Sequence, residues 1–298
     1  MNKKPFSDTK NNQTPKPPWL RRRLPSGPAF EQTRRRMRMG RLHTVCQEAQ
    51  CPNMFECFSR HTATFLILGE RCTRNCSFCA VQGGPQEPPD SDEPQRVAET
   101  VAEMNLAYVV ITSVTRDDLE DGGAGLFAAT IRAVHKLKPE VAIEVLIPDF
   151  QGNRQALHAV LDARPDVLNH NVETVPRLYP AVRPQARYVR SLNLLQEADR
   201  YAPVIPTKSG VMLGLGETDS EIRQVLRDLR QVNCRIVTLG QYLRPSPGHH
   251  PVERFVTPED FDHWRQVALE MGFDQAASGP FVRSSYNARE TFQQLPGK

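Results

Sequence analysis

TFLILGERCTRNCSFCA, residues 64–80, joins two unlike pieces. The first six residues form an apolar run containing β-branched Thr64 and Ile67, the composition of a strand buried on both faces. Three cysteines follow at Cys72, Cys76 and Cys79, in C-x3-C-x2-C spacing. They stand in the loop at the strand's carboxyl end. In a parallel α/β fold that end collects the chemistry, so the rest of the chain must show whether such a sheet follows.

Five more apolar, β-branched runs appear at 107–113 (AYVVITS), 141–147 (VAIEVLI), 167–173 (VLNHNVE), 211–215 (VMLGL) and 236–242 (IVTLGQY). Between them lie helix-period segments at 94–105, 125–137, 154–163, 189–201 and 220–232, and another covers 259–271. Thr218 and Glu221 have capping-box spacing ahead of the fifth. Pro139, Pro165 and Pro203 separate helices from the strands that follow. Six β/α units in series predict an α/β chain with a parallel sheet. Periodicity leaves two closures open, a doubly wound sheet and a full or partial barrel.

The 298 residues are 39% hydrophobic and 24% charged, enough for one large domain or two modest ones. No apolar run is long enough for a transmembrane helix, and MNKKPFSDTKNNQ lacks the apolar stretch of a signal peptide. A soluble, cytoplasmic protein is expected. Six of the seven cysteines lie between Cys46 and Cys79. A disulfide framework would spread them and would need export, whereas clustered cysteines in a reducing compartment bind metal. Residues 1–45 hold twelve Lys/Arg against two Asp/Glu, so the remainder is net acidic. Such a Pro-rich basic segment reads as a solvated, partly disordered arm, or as one that steers an acidic partner. Few aromatics stand there to stack bases, so nucleic acid is not the expected partner.

A structural zinc would close with a fourth Cys or His, but none follows Cys79 before His135. Three thiolates can instead hold a [4Fe–4S] cluster whose fourth iron stays open to a cofactor or substrate. With Phe78 before the third cysteine, the run resembles the radical S-adenosylmethionine superfamily. The resemblance implies that S-adenosylmethionine chelates the open iron and is cleaved to a 5′-deoxyadenosyl radical, which abstracts hydrogen from unactivated carbon. GVMLGLGE (210–217) is similar to that superfamily's G-x-I-x-G-x-x-E pattern through Gly210, Met212, Gly214 and Glu217, which it implies to lie beside the adenine. The motif also reads as a Gly-rich strand end. In VLNHNVE, Asn169, Asn171 and Glu173 alternate and so share one strand face. Polar groups on an inner face are costly without partners, which makes them candidate cofactor contacts, unless the strand end is simply wet. His170, on the other face, reads as a packing histidine. Arg183 and Arg244 are candidates to reach a carboxylate or a peptide carbonyl. Cys234 reads as a buried, inert thiol, and His249 and His250 as a solvated pair.

A second triplet, Cys46, Cys51 and Cys57, stands upstream in CQEAQCPNMFEC with C-x4-C-x5-C spacing. Two triplets this close suggest two clusters. Together with HTATFLILGERCTRNCSFCAV, VVITSVTRDDLEDGGA (109–124), VLNHNVETVPRLYP (167–180), LGLGET (213–218), GQYLRPSPGHHPV (240–252) and GPFVRSSYNA (279–288), the combination resembles the lipoyl synthase family. That resemblance covers roughly residues 30–290. It implies a partial (β/α)6 TIM-type barrel with N- and C-terminal extensions. Its parts would be a basic arm (1–45), an auxiliary-cluster segment (46–60), the barrel (61–272) and a C-terminal extension (273–298) carrying Arg283-Ser284-Ser285-Tyr286.

The resemblance further implies that Cys72, Cys76 and Cys79 carry the radical cluster, and Cys46, Cys51, Cys57 and Ser285 an auxiliary [4Fe–4S] cluster. By spacing alone, Ser284 and Ser285 are turn serines. The implied reaction inserts sulfur at C6 and C8 of an octanoyl chain on a carrier-domain lysine, with the auxiliary cluster consumed as sulfur donor. Implied partners are octanoylated lipoyl-carrier domains (2-oxoacid dehydrogenase E2 subunits and the glycine cleavage H protein), an electron donor, and an iron–sulfur carrier for rebuilding the cluster. Two positions depart from the family's common pattern. Thr115 stands where an Asp is usual, and Ser77 where a Pro is usual. Two alternatives share features: a two-cluster methylthiotransferase acting on tRNA, and a zinc-binding nucleic-acid module.

Overall fold

The structure, a computed structural model, describes residues 15–21, 28–60 and 62–296. One eight-stranded sheet carries its strands in chain order. They are β1 (His43–Thr44), β2 (Thr64–Ile67), β3 (Tyr108–Ser113), β4 (Ala142–Leu146), β5 (Val167–Asn169), β6 (Thr207–Leu213), β7 (Ile236–Gln241) and β8 (Gln275–Gly279). β2 to β8 run parallel, and β1 pairs antiparallel with β2. The ladder ends at β1 and β8 without closing, so the barrel is partial. The helices are α1 (Pro28–Met39), α2 (Val45–Glu48), α3 (Met54–Ser59), α4 (Glu93–Glu103), α5 (Ala124–Leu137), α6 (Arg154–Asp162), α7 (Tyr179–Val182), α8 (Tyr188–Tyr201), α9 (Asp219–Gln231), α10 (Pro258–Glu270) and α11 (Ala288–Gln293). No helix among the described residues is long and apolar enough to cross a membrane.

All six expected strands form, β2 to β7, as do the six expected helices. β1 and β8 are additions. β1 is two residues long, and β8 reads QAASG, without the branched apolar residues that mark a buried strand. Within residues 1–45, the basic stretch 28–39 is helix α1. Its Phe30 and Met37 are buried, and Phe30 stacks on Phe55 of α3 at 5.1 Å. Thr33, on the same face, is also buried and donates to Phe58 O at 2.8 Å, while Glu31, Gln32, Arg34 and Arg35 are exposed, as amphipathic spacing requires. Of the arm expected to be partly disordered, residues 1–14 and 22–27 lie outside the described residues.

The lumen is layered. At the amino ends of the strands, α11 and the residues after it act as an apolar plug, with Phe292 against Tyr108 at 5.5 Å and Leu295 against Val167 and Ile236. Above the plug, Lys208 Nζ binds both Glu144 oxygens at 2.9 and 3.0 Å. Tyr108 Oη and Asn169 Nδ2 also donate to Glu144, at 2.7 and 2.9 Å. Ion and hydrogen bonds thus satisfy a charge that would be very costly if buried alone. Above that layer the carboxyl ends of the strands open into a cavity. The predicted capping box is present, with Thr218 accepting from Glu221 N and Glu221 accepting from Thr218 N.

Candidate active site

The loop after β2 carries Cys72, Cys76 and Cys79 and is bonded on every side. Cys72 N donates to Gln82 O at 2.9 Å, and Cys79 N to Cys76 O at 3.1 Å. Thr73 donates to Thr115 O through its amide (3.0 Å) and its hydroxyl (2.9 Å). Position 115 thus serves the loop by its backbone. Ser77 N donates to Val182 O at 2.9 Å and its hydroxyl to Ala181 O at 2.8 Å. From the β7 side, His250 N donates to Ser77 O at 2.8 Å. His249 Nε2 meets the Cys79 carbonyl at 3.0 Å, and since a carbonyl only accepts, that nitrogen carries the proton. His250 Nε2 likewise binds Leu215 O at 3.1 Å. These histidines brace the cysteine loop rather than facing solvent, contrary to the expectation from a Pro-Gly context.

Arg74 sits inside the triplet and is buried. Its Nε reaches Asp117 at 2.7 Å and its Nη2 reaches Asp149 at 2.5 Å. Arg190 also meets Asp149, at 3.2 Å. Burial pushes the Asp149 carboxyl up, but bonding and charge from Arg74 outweigh it and hold the group at about 2. This network ties the loop to the ends of β3 and β4.

The auxiliary triplet is built on two short helices. Cys46 lies in α2 and is buried; Cys51 N donates to Cys46 O, and Cys57 N, in α3, to Asn53 O, both at 2.9 Å. No disulfide joins any of the cysteines among the described residues. Burial pushes the thiols of Cys46 and Cys79 up to about 12 and that of Cys76 to about 11, with Arg183 pulling Cys76 back down. In the absence of metal these are protonated thiols, so loading a metal ion must displace their protons. Cys234 is fully buried at the amino end of β7, its thiol also raised to about 12 by burial.

One cavity of about 510 Å³ joins both triplets. Its wall includes Cys46, Cys51 and Cys57 on one side and Cys72, Cys76 and Cys79 on the other. Ser285, Arg183 and Arg244 line it, as do Asn171, Glu173, Gly210 and Met212. Asn169, Gly214 and Glu217 are not in its wall. Asn169 lies one layer below, on Glu144. Glu217 accepts from Gly214 N (2.6 Å) and Leu215 N (2.9 Å) and so shapes the turn after β6. Gly214 has φ +98°, and a Cβ there would fall 2.4 Å from Arg254 O. The strand parity of Asn169, Asn171 and Glu173 holds only as far as Asn169, where β5 ends. Glu173 has φ +64° and is held there by bonds to Gly210 O (2.9 Å) and from Met212 N (2.7 Å). Its surroundings desolvate the carboxyl and push it up, against the pull of Arg183.

Arg183 is buried, with its guanidinium 5.3 Å over the Tyr179 ring. Its Nη1 donates to Asn171 O and Val172 O, at 2.9 and 3.1 Å, while Nε has no partner among the described residues. Arg244 is turned to its own loop, donating to His249 O at 2.8 Å and to Pro247 O. His170 is buried and fully bonded, to Ile147 O and Ser191 Oγ, both at 2.9 Å. Burial holds it neutral, at about 4.

The segment after β8 enters the same cavity. Ser284 and Asn171 exchange hydrogen bonds at 2.7 and 3.0 Å. Gly210 makes room for this, since a Cβ there would lie 2.7 Å from Asn171 Oδ1 and 2.9 Å from Ser284 Oγ. Asn53 and Glu56, inside the auxiliary triplet, bind Phe281 O and Tyr286 Oη. Sequence reasoning singled out neither these ties nor the Arg74 network. Each joins residues far apart in the chain, so spacing carried no signal of it.

Residues 66–229 match the radical SAM superfamily, and residues 2–51 match the N-terminal domain of lipoyl synthase of that family. Among curated relatives, the lipoyl synthase of Desulfotalea psychrophila is 57% identical over 290 residues, covering 97% of each chain. That of Caldicellulosiruptor saccharolyticus is 54% identical over 279 residues, covering 94% of this chain and 98% of the relative. Among solved structures, methylornithine synthase superposes with TM-score 0.54 at 15% identity, over 74% of this chain and 72% of that one. The maturase of the [FeFe]-hydrogenase gives 0.57 at 16%, over 70% of this chain and 48% of that one. At such identities these two speak to the fold alone.

Proposed function

The chain belongs to the lipoyl synthase family of the radical SAM superfamily, and from that membership we infer which of its residues perform the family's reaction. That reaction is insertion of two sulfur atoms, at C6 and C8, into an octanoyl chain amide-linked to a lysine of a lipoyl-carrier protein. It uses two [4Fe–4S] clusters and S-adenosylmethionine. The observation that carries the residue assignment is one cavity walled by two separate sets of three cysteines.

The donor set fits these groups. Two triplets offer six soft ligands, and the buried Arg183 Nε lacks a partner among the described residues. Cys72, Cys76 and Cys79 would hold the radical cluster, and Cys46, Cys51, Cys57 and Ser285 the auxiliary one. When bound, the first supplies the electron that cleaves S-adenosylmethionine, and the second supplies sulfur. Asn171, Glu173, Gly210, Met212 and Arg183 are positioned to receive S-adenosylmethionine. Glu173, kept close by its backbone bonds, would accept from a ribose hydroxyl or an ammonium. Arg183 places positive charge beside Cys76, which favours the thiolate that a metal needs. Gly214 and Glu217 act one step back by shaping the β6 turn. Arg244 offers positive charge at the cavity wall for the substrate's amide carbonyl.

The carriers proposed are octanoylated lipoyl domains, of 2-oxoacid dehydrogenase E2 subunits and of the glycine cleavage H protein, with an electron donor and an iron–sulfur carrier as further partners. A reducing cytoplasm suits seven cysteines with no disulfide among them. The readings as a tRNA methylthiotransferase or a zinc module are not favoured, because the matched N-terminal domain and the curated relatives are those of lipoyl synthases.

The test is the mass of an octanoyl-lysyl peptide after anaerobic incubation with reconstituted protein, reductant and S-adenosylmethionine. A gain of two sulfurs is expected, as a dithiol under the reductant, with two hydrogens lost once the peptide is oxidised to the disulfide. Formation of 5′-deoxyadenosine with an unchanged peptide would keep the radical site and overturn the substrate.

A further inference from the structure

Residues 281–286 run from β8 into the cavity as a strap bearing Ser284 and Ser285. Two of its ties come from inside the auxiliary triplet, between Cys51 and Cys57. Asn53 Nδ2 donates to Phe281 O at 2.7 Å, across 228 residues of sequence. Tyr286 Oη donates to the two Glu56 oxygens at 3.1 and 3.2 Å. The bonds between Ser284 and Asn171 fix the middle of the strap from the β5 side.

The Asn53 tie runs against local preference. Asn53 stands at the N-cap of α3, where its side chain would ordinarily accept from a first-turn N–H. It makes no such bond. Its side chain is 1% exposed, its Nδ2 goes to the strap, and its Oδ1 has no partner among the described residues. Glu56 is oriented from the other side by Arg60 at 3.0 Å. The strap is therefore gripped at both ends of Val282–Ser285 by the helix that also carries Cys57. Its backbone reaches the lumen only because Gly240 has no Cβ, which would otherwise meet Val282 O.

We propose that Asn53 and the Glu56–Tyr286 pair are positioning residues that set Ser285 against the auxiliary triplet, so that their grip governs whether that serine stays on iron. The proposal rests on the reading of Ser285 as a ligand. None of the three needs to touch substrate or S-adenosylmethionine. The ties are single side-chain hydrogen bonds, each modest on its own. Serine release can therefore follow from loosening the strap, without unfolding the barrel.

Asn53→Asp removes the donor at constant volume, and Tyr286→Phe removes a single hydroxyl. Hydrogen exchange of residues 280–287 is read in the metal-free full chain. The Mössbauer spectrum and the rate of iron loss to a chelator are read after reconstitution, with Ser285→Ala as the reference. Each variant is expected to exchange roughly fivefold faster over the strap. Each is also expected to reproduce the Ser285→Ala spectrum and its faster iron loss, although Ser285 is intact. Wild-type exchange and spectrum in both variants, beside an altered Ser285→Ala spectrum, overturns the grip and leaves the ligand reading standing. Faster exchange with a wild-type spectrum also overturns it. A wild-type spectrum for Ser285→Ala itself overturns the ligand reading, and the grip with it.

Discussion

The two cysteine triplets face one cavity but are held by different means. The radical loop is locked largely through main chain. Its own amides and carbonyls bond to Gln82, Thr115, Val182 and His250, and a buried ion pair at Arg74 fastens its centre. The auxiliary triplet stands on α2 and α3, two helices of four and six residues. Its ties include side-chain hydrogen bonds to a C-terminal strap, the Thr33 hydroxyl on Phe58 O and aromatic packing on α1, beside the short main-chain pairing of β1 with β2. A main-chain lattice with a buried charge network gives way only when much of the fold does. A few side-chain bonds break one at a time. The contrast suits one cluster that is kept from turnover to turnover and another that is taken apart to give up its sulfur.

Five substitutions test this contrast, in falling order of effect. Cys76→Ala should abolish both 5′-deoxyadenosine and lipoyl product, whereas Cys46→Ala should abolish only product and lose about half of the bound iron. Iron analysis beside the two product assays checks the split. If both variants lose 5′-deoxyadenosine equally, the triplets are one unit.

Arg74→Met comes next. It leaves Asp149 buried with only Arg190, at a cost of roughly 3–5 kcal/mol in chemical denaturation. The pH dependence has a definite sign. Asp149 titrates at about 2 in the folded chain, below its ordinary value of 3.8. The unfolded chain therefore binds the extra proton, and the stability the group supplies is full above that ordinary value and is lost as pH falls through about 2. Arg74→Met should flatten stability against pH in that window. An unchanged acid limb would show that the pair does not lock the loop.

His249→Ala removes the donor to Cys79 O, an outer-shell bond. Radical-cluster iron should leave to a chelator roughly tenfold faster, with auxiliary iron unaffected. Equal loss from both clusters would place His249 in a shared structural role. Ser77→Ala is the mildest, since it keeps the main-chain bond to Val182 O. A cost of about 1 kcal/mol or less in thermal unfolding is expected. A larger loss would mean that side chains, not main chain, hold the radical loop.

The parallel sheet was legible because each of β2 to β7 writes its own composition in consecutive residues. The same holds for the triplet spacings, which are local by nature. The short β5 shows the limit. Alternation placed Asn169, Asn171 and Glu173 on one face, yet the chain leaves strand geometry after Asn169, and Glu173 adopts a positive φ. Asn169 then meets Glu144 from β4, a partner that no reading of β5 alone contains. β8 escaped notice because small residues suffice where α10 and the strap cover a strand at the sheet's edge. His249 and His250 looked solvated because nothing in a Pro-Gly loop announces that a cysteine loop lies against it.

Sequence alone determined the order of β/α units, the two sets of thiols and the end of the sheet where the first set must lie. These follow from side-chain chemistry and spacings of a few residues. Tertiary structure decided that both triplets share one cavity, that the strap crosses Gly210 and Gly240 to reach it, and that Arg74 is pinned by carboxylates more than forty residues away. Those outcomes depend on which distant surfaces meet. Such contacts form only when burial of the whole barrel brings them together, and no short window of sequence records them.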